Sequence, residues 1–218
     1  MGAFDFAVIF DNLPFLMKGM QTTLLLTALA MFGGIVLGTL LAMARISSIT
    51  VVSVVAASYI NFFRSLPLIL VIFWFYFLVP LVLGQPVGGF YSVLVAFTLF
   101  EAAYYAEIIR AGITSVRSGQ FQAARALGLS YAQSMRFIVL PQAFRAMTPV
   151  LLTQGIILFQ DTSLVYVVGL KDFLVSAELI ANRDQRLIEM FTFVAIVYLI
   201  ISYSASQGVR LLQRRMQR

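Results

Sequence analysis

Few residues in this 218-residue chain can do chemistry, and most of those stand inside apolar runs. Gln160, Asp161, Thr162 and Ser163 form one block of four consecutive polar side chains; Glu101 and Glu107 lie in a second apolar run and Arg64 in a third. Ionisable groups at such depth are costly, so they mark pathways, ion pairs or ligand contacts. Glu107 stands three residues before Arg110, a helical spacing that suits an ion pair. Glu101 has Tyr104 and Tyr105 beside it and can accept a hydroxyl, so for both carboxylates a structural role competes with a functional one. The block at 160–163 is different. It predicts local unwinding or a water-lined face, because lipid tolerates irregular backbone only where protein or a cavity covers it. Discontinuous helices present amides and dipole ends to a solute, so Gln160, Asp161 and Thr162 are candidate substrate contacts, with an interhelix polar clamp as the alternative. Glu107 and Arg64 join them as candidates, although Arg64, just before Ser65, Leu66 and Pro67, also fits an anchor reaching toward lipid headgroups.

Other chemistry is excluded by what is missing. There is no cysteine and no histidine, so neither a disulfide framework, a thiol or imidazole metal site nor a histidine proton relay is available. No metal or cofactor is expected. A phosphate-cradling loop ends in Gly-Lys-Ser/Thr, but the only lysines are Lys18, after Met17, and Lys171, after Leu170. ATP hydrolysis by that route is closed to this polypeptide, and it is not expected to be an enzyme.

The elements that position these groups cross a membrane. With 61% apolar and 11% charged residues, the chain carries more hydrophobic surface than one soluble core of this size can hide. The expected fold is all-α and polytopic with five transmembrane helices. The first runs uncharged from Gly19 to Ala44, roughly 39 Å of helix against a hydrocarbon core of about 30 Å. A second runs from about Ile49 to Leu83, a third from Phe90 to Ala111, a fourth from Ala146 to Val168 and a fifth from Glu189 to Val209. Asp5 and Asp11 precede any base, the reverse of a signal peptide, so the first span is expected to be retained. Arg45, Arg64, Arg110, Arg117, Arg125, Arg136, Arg145, Arg210, Arg214, Arg215 and Arg218 share one side if the N-terminus is outside and the C-terminus cytoplasmic, leaving Lys18, Lys171, Arg183 and Arg186 outside. That bias sets the expected orientation. The net charge of +6 then reflects topology and attraction to the inner leaflet, and nucleic acid is not an expected partner.

Two local patterns stand out. Ala30, Gly34, Gly38 and Ala42 form a ridge of small residues at spacing four, the means by which helices approach closely in lipid, within or between subunits. On the cytoplasmic side, 119–141 reads as a helical hairpin. Gly119 breaks the extension of helix three, Gln122–Leu127 makes about two turns, and Gly128 suits a left-handed helix end. Ser130 with Gln133 forms a capping box; the second helix then runs to Leu140 and stops at Pro141. Docking of a partner and simple rest on lipid headgroups both fit the hairpin on physics alone.

The residues Gln122, Ala123, Ala124, Gly128, Ile138, Leu140 and Pro141 resemble the coupling-loop signature EAA, three residues, G, nine residues, I, any residue, LP of bacterial ABC importer membrane subunits. Only the leading glutamate departs, as Gln122. FFRSLPL at 62–68, YYAEIIRAGI at 104–113, LPQAFRAMTPVLLTQGI at 140–156 and QDTSLVYV at 160–167 are similar to the polar amino acid uptake branch, and within it to permeases for glutamate and aspartate. The likeness covers Gly19 to Arg215. It implies a type I importer permease with a periplasmic or interfacial segment at 1–18, a transmembrane domain at 19–210 and a basic cytoplasmic tail at 211–218. It also implies partners: two cytoplasmic ABC ATPase subunits docked on the hairpin, a second permease subunit, identical or related, and a periplasmic or surface-anchored substrate-binding protein. Asp161 suits the substrate ammonium, leaving a carboxylate to Arg64, a helix N-terminus or the partner subunit. An ion-coupled secondary transporter is the alternative, but it leads one to expect inverted repeats and more helices. A noncatalytic assembly factor is a third reading that leaves the polar block at 160–163 unexplained.

Overall fold

The computed structural model describes residues 7–85 and 87–216; Asp5, Pro86 and Arg218 lie outside them. Every regular element among the described residues is helical. In chain order these are α1 (Ala7–Asp11), α2 (Leu13–Arg45), α3 (Thr50–Arg64), α4 (Leu68–Phe73), α5 (Val79–Leu83), α6 (Gly89–Thr114), α7 (Ser118–Ala126), α8 (Tyr131–Ser134), α9 (Leu140–Asp161), α10 (Phe173–Arg183) and α11 (Leu187–Met216). π-Helical turns over Trp74–Leu78 and Met135–Val139 join α4 to α5 and α8 to α9, and a 3-10 segment over Thr162–Val168 follows α9.

Four helical stretches are long and apolar enough to cross a membrane: Leu13–Arg45, Gly89–Thr114, Tyr131–Val168 and Leu187–Met216; the pair Thr50–Arg64 and Leu68–Leu83 supplies a fifth, broken one. The expected second helix is thus two pieces. Pro67 sits in extended backbone (φ −64°, ψ 132°) as the residue before α4; it lacks an N–H and disfavours helical backbone at Leu66, so α3 has to stop.

One other proline behaves unlike the sequence expectation. Pro141 does not end its helix, which continues from α8 through the π turn into α9. A proline ring clashes with the carbonyl four residues back and offers no donor; a π turn has already displaced that ladder. Pro80 follows the other π turn in the same way. Gly119 likewise lies inside α7, in its first turn, where glycine costs little, and the chain break falls at Ser115–Arg117 instead.

The described residues divide into two compact units, one built from the described parts of Met1–Phe32, Pro67–Thr98 and Gly155–Gln207, the other from Gly33–Leu66, Leu99–Gln154 and Gly208–Arg218. In the first, Leu16, Met20, Phe159, Phe173, Ile180, Met190 and Val194 make a buried core. The Tyr198 ring stacks 5.1 Å from Phe159 and 5.9 Å from Phe173. Helix α10 of this unit falls in what the sequence reading left as an outer loop. Asp172 caps it, accepting from the Val175 N–H at 2.8 Å, an N-cap signal that marks a helix start.

In the second unit the small-residue ridge is used within the chain. A Cβ added to Gly38 would lie 2.8 Å from Tyr105 Cβ and 2.9 Å from the Ala102 carbonyl; one on Gly34 would come within 3.0 Å of the Tyr105 ring. Ala42 continues the ridge into a cluster with Ile60, Ala106, Ile109 and Met147. Close backbone approach substitutes here for the hydrophobic effect, which is weak between helices in lipid.

Candidate functional site

The hairpin after α6 is built by backbone chemistry. Gly128 closes α7 at φ +81°, a conformation that glycine adopts without a Cβ penalty. Its N–H donates to the Arg125 carbonyl at 3.0 Å, and the Leu129 N–H to the Ala124 carbonyl at 3.1 Å, the paired bonds of a Schellman end. One residue later Ser130 Oγ accepts from the Gln133 N–H at 3.3 Å, while the Ser130 N–H donates to Gln133 Oε1 at 2.8 Å. Both arms of this capping box satisfy orphan donors of α8. The Phe121 and Tyr131 rings meet edge to face at 5.6 Å and join the two arms.

Of the signature residues on this hairpin, only one small residue is hidden. Ala124 is buried, Gln122, Ala123, Gly128 and Pro141 are exposed, and Ile138 and Leu140 are half-buried. The sequence reading missed the most prominent feature. Leu127 projects from the tip, 80% exposed, with Tyr131 and Phe137 exposed beside it in sequence. An apolar knob next to a helix end locked by glycine is a surface that a protein partner can cover; a large exposed residue before Gly128 was the available signal.

Among the charged positions, Arg64 ends α3 and is exposed, its guanidinium 5.6 Å above the Tyr104 ring. This cation–π contact was not anticipated. Glu107 accepts from Arg110 through Nε at 3.0 Å and also from Nη2, the ion pair that the spacing suggested. Arg64 and Arg45 act on the same carboxylate electrostatically, so Glu107 and Arg64 share one charged neighbourhood in the second unit. Glu101 is fully buried and takes the Gln154 amide, Nε2 donating at 3.1 and 3.3 Å to its two oxygens. Gln154, 53 residues away, was not foreseen as its partner.

Gln160, Asp161 and Thr162 sit in the first unit, where α9 gives way to the 3-10 segment at Thr162. Gln160 and Asp161 remain α-helical, and the helix tightens to 3-10 at Thr162 rather than unwinding, which frees backbone groups at the junction. Gln160 is exposed and Asp161 half-buried, while Thr162 is buried and donates to the Phe159 carbonyl at 2.7 Å. Asp161 has no hydrogen-bond or ion-pair partner among the described residues.

Apolar spans, one of them broken, with a capped helical hairpin between two of them, define a multi-pass membrane protein. The chain belongs to the family of binding-protein-dependent transport system inner membrane components, which it matches over residues 34–218. It is 51% identical to the glutamate/aspartate import permease protein GltK of Escherichia coli O6:H1, with 99% of each chain covered. It is 36% identical to a probable glutamine ABC transporter permease protein, GlnM, of Bacillus subtilis, covering 97% of this chain and 98% of that one. In three dimensions it is similar to a crystal structure of an amino acid ABC transporter with histidines, at TM-score 0.92 and 32% identity over 99% of this chain and 100% of the other.

Proposed function

We propose that this chain is the permease subunit of an ATP-driven importer of acidic amino acids, glutamate and aspartate. The observation that carries the reading is the likeness to GltK, which runs through 99% of both chains and so takes in the hairpin and the polar block together. Two cytoplasmic ATPase subunits supply the energy, a second permease subunit, a copy or a related chain, completes the pathway, and an external binding protein delivers the solute. The N-terminus is outside and the C-terminus cytoplasmic, consistent with the distribution of arginines.

The ATPase docks on Gln122, Ala123, Ala124, Gly128, Ile138, Leu140 and Pro141. Its grip needs a rigid lever, and the Schellman end and capping box supply one. Motion passed to α7 and α8 reaches α9 directly, because the helix runs through the π turn without stopping at Pro141.

Substrate contacts are assigned to Gln160, Asp161 and Thr162 in one unit, and to Arg64 and Glu107 in the other. Asp161, half-buried and without a cation, suits an ammonium group, and Gln160 offers amide donors for a carboxylate. Around Glu107 three guanidiniums, of Arg45, Arg64 and Arg110, outweigh one carboxylate, a local field that favours an anionic solute. Arg64 lies over the Tyr104 ring and makes no side-chain hydrogen bond among the described residues, which suits it to meet a carboxylate bidentately.

The test is ATP hydrolysis by the full complex in liposomes, with binding protein inside the assay. Glutamate or aspartate should accelerate hydrolysis and glutamine should not. Acceleration by glutamine alone contradicts the substrate assignment, and no acceleration by any amino acid contradicts the importer reading.

A further inference from the structure

A second polar cluster lies within the first unit; it shares Thr162 with the substrate contacts proposed above, and nothing in that function uses its carboxylate. Asp172 is completely buried. Its Oδ1 accepts from the Val175 N–H, but its Oδ2 is buried with no hydrogen-bond partner among the described residues, and so is the hydroxyl of Tyr198 on α11. The Tyr198 hydroxyl lies within electrostatic reach of Asp172 and close to the hydroxyls of Thr162 and Thr23, which act on it as hydrogen-bonding neighbours although neither bond closes to full geometry. Thr23, on α2, accepts from the Phe173 N–H at 3.1 Å and keeps its own proton to give. Thr162 gives its proton to the Phe159 carbonyl and keeps lone pairs to receive. Packing around the group is tight, since a Cβ on Gly19 would overlap Ser176 Oγ and the Asp172 carbonyl.

We propose that Asp172 is a proton-binding site, and that gain or loss of its proton reverses the direction of hydrogen bonding through Tyr198. With the proton on, Asp172 donates to the Tyr198 oxygen, Tyr198 donates to Thr162, and Thr162 to the Phe159 carbonyl. With it off, Thr23 donates to Tyr198 and Tyr198 donates to Asp172. Either direction satisfies each side-chain oxygen of the cluster that now lacks a partner, so what separates the two states is the buried charge.

The charged neighbours oppose ionisation. Glu178, on α10, acts on Asp172 as a like charge. The adjacent base in sequence, Lys171, is exposed, as is Lys18 on α2; Tyr198 is the titratable group facing it from α11, and α9 with its 3-10 segment contributes the Thr162 hydroxyl. Burial pushes the Asp172 carboxyl up to about 6, against the pull of the N–H groups at the start of α10. That is roughly a hundredfold tighter hold on the proton than an exposed aspartate has. The donor set of one carboxylate and three hydroxyls also admits sodium, and the test separates the two.

Difference infrared spectroscopy on the full chain in lipid nanodiscs, acidified from pH 8 to pH 4, reads the protonated carboxyl directly. A carboxylic acid band should grow in with a midpoint near 6, vanish in Asp172→Asn, and move to higher pH in Tyr198→Phe, which withdraws the donor that favours the charged form. A midpoint near 4, or a band untouched by both substitutions, overturns the proposal. Should Asp172→Asn fail to fold, the comparison of wild type with Tyr198→Phe decides, an unmoved midpoint refuting it. A midpoint that falls as sodium replaces a bulky organic cation at constant ionic strength also refutes it, because the site is then a cation site.

Discussion

Gly38→Ala probes the packing of α2 on α6 with a single methyl group. The added carbon would lie 2.8 Å from Tyr105 Cβ, 2.9 Å from the Ala102 carbonyl and 3.0 Å from the Ala106 N–H nitrogen. Two of these neighbours are backbone, so relief requires the helices to separate rather than one side chain to rotate. Overpacking of this kind costs about 1–3 kcal/mol, offset by the gain of about 0.5–1 kcal/mol that alanine brings to a helix in place of glycine. At mid-range values the net loss is about 1.25 kcal/mol, or roughly 3–5 °C at about 2–4 °C per kcal/mol for a chain of this size. Gly208→Ala is the control, since nothing lies within 4 Å of its added carbon inside α11. Thermal unfolding of both variants in the same lipid nanodisc is the assay, with Gly38→Ala falling and Gly208→Ala holding or rising. An unchanged or raised midpoint for Gly38→Ala, with weakened permease pairing instead, refutes the argument and moves the ridge to a subunit interface.

Asp161→Asn, which keeps shape and removes charge, should cut uptake at least tenfold in proteoliposomes, while copurification of the ATPase is unaltered; normal uptake kinetics remove Asp161 from the substrate contacts. Leu127→Asp places a charge on the exposed knob, so ATPase copurification should be lost while the chain's own unfolding midpoint stays put, and retained copurification excludes the knob from the interface. Ser130→Ala removes one arm of the capping box at a cost of about 1 kcal/mol, seen as faster amide exchange at residues 131–134; unchanged exchange means the cap adds nothing. Because the Asp172 carboxyl is raised in the folded chain from 3.8 to about 6, the folded state binds the extra proton between those values. The part of the stability that Asp172 contributes is therefore full below pH 4 and is lost as pH rises through about 6, by roughly 2–3 kcal/mol; relative to wild type, Asp172→Asn should lack that loss between pH 4 and pH 6, and identical profiles for the two would refute it.

Long-period features were legible in the sequence because they are local and redundant: the uncharged run from Gly19, the apolar run from Phe90, the Ser130 and Gln133 cap, and the left-handed Gly128. That the polar block at 160–163 disturbs its helix was legible too, but the form was not, since the helix tightens to 3-10 at Thr162 instead of unwinding. Less visible were effects that depend on a third residue. Pro141 and Pro80 pass inside helices only because π turns precede them, and no single-residue rule reports that. Arg64 found the Tyr104 ring and Glu101 found Gln154, pairings set by how helices pack rather than by spacing along one of them. Asp172 read as a loop charge, yet it caps α10, whose apolar face from Phe173 to Ala181 is short enough to be mistaken for loop.

The central claim is that the hairpin at 119–141 receives force from a separate ATPase. Since the chain has no cysteine, a single cysteine at Ala123 gives a clean probe in the assembled, transporting complex. The account predicts a disulfide crosslink to a cysteine in the ATPase surface groove, with a yield that changes between nucleotide-free and ATP-bound states. Modification of that cysteine by a membrane-impermeant reagent from outside intact cells, with no crosslink in either state, would contradict it.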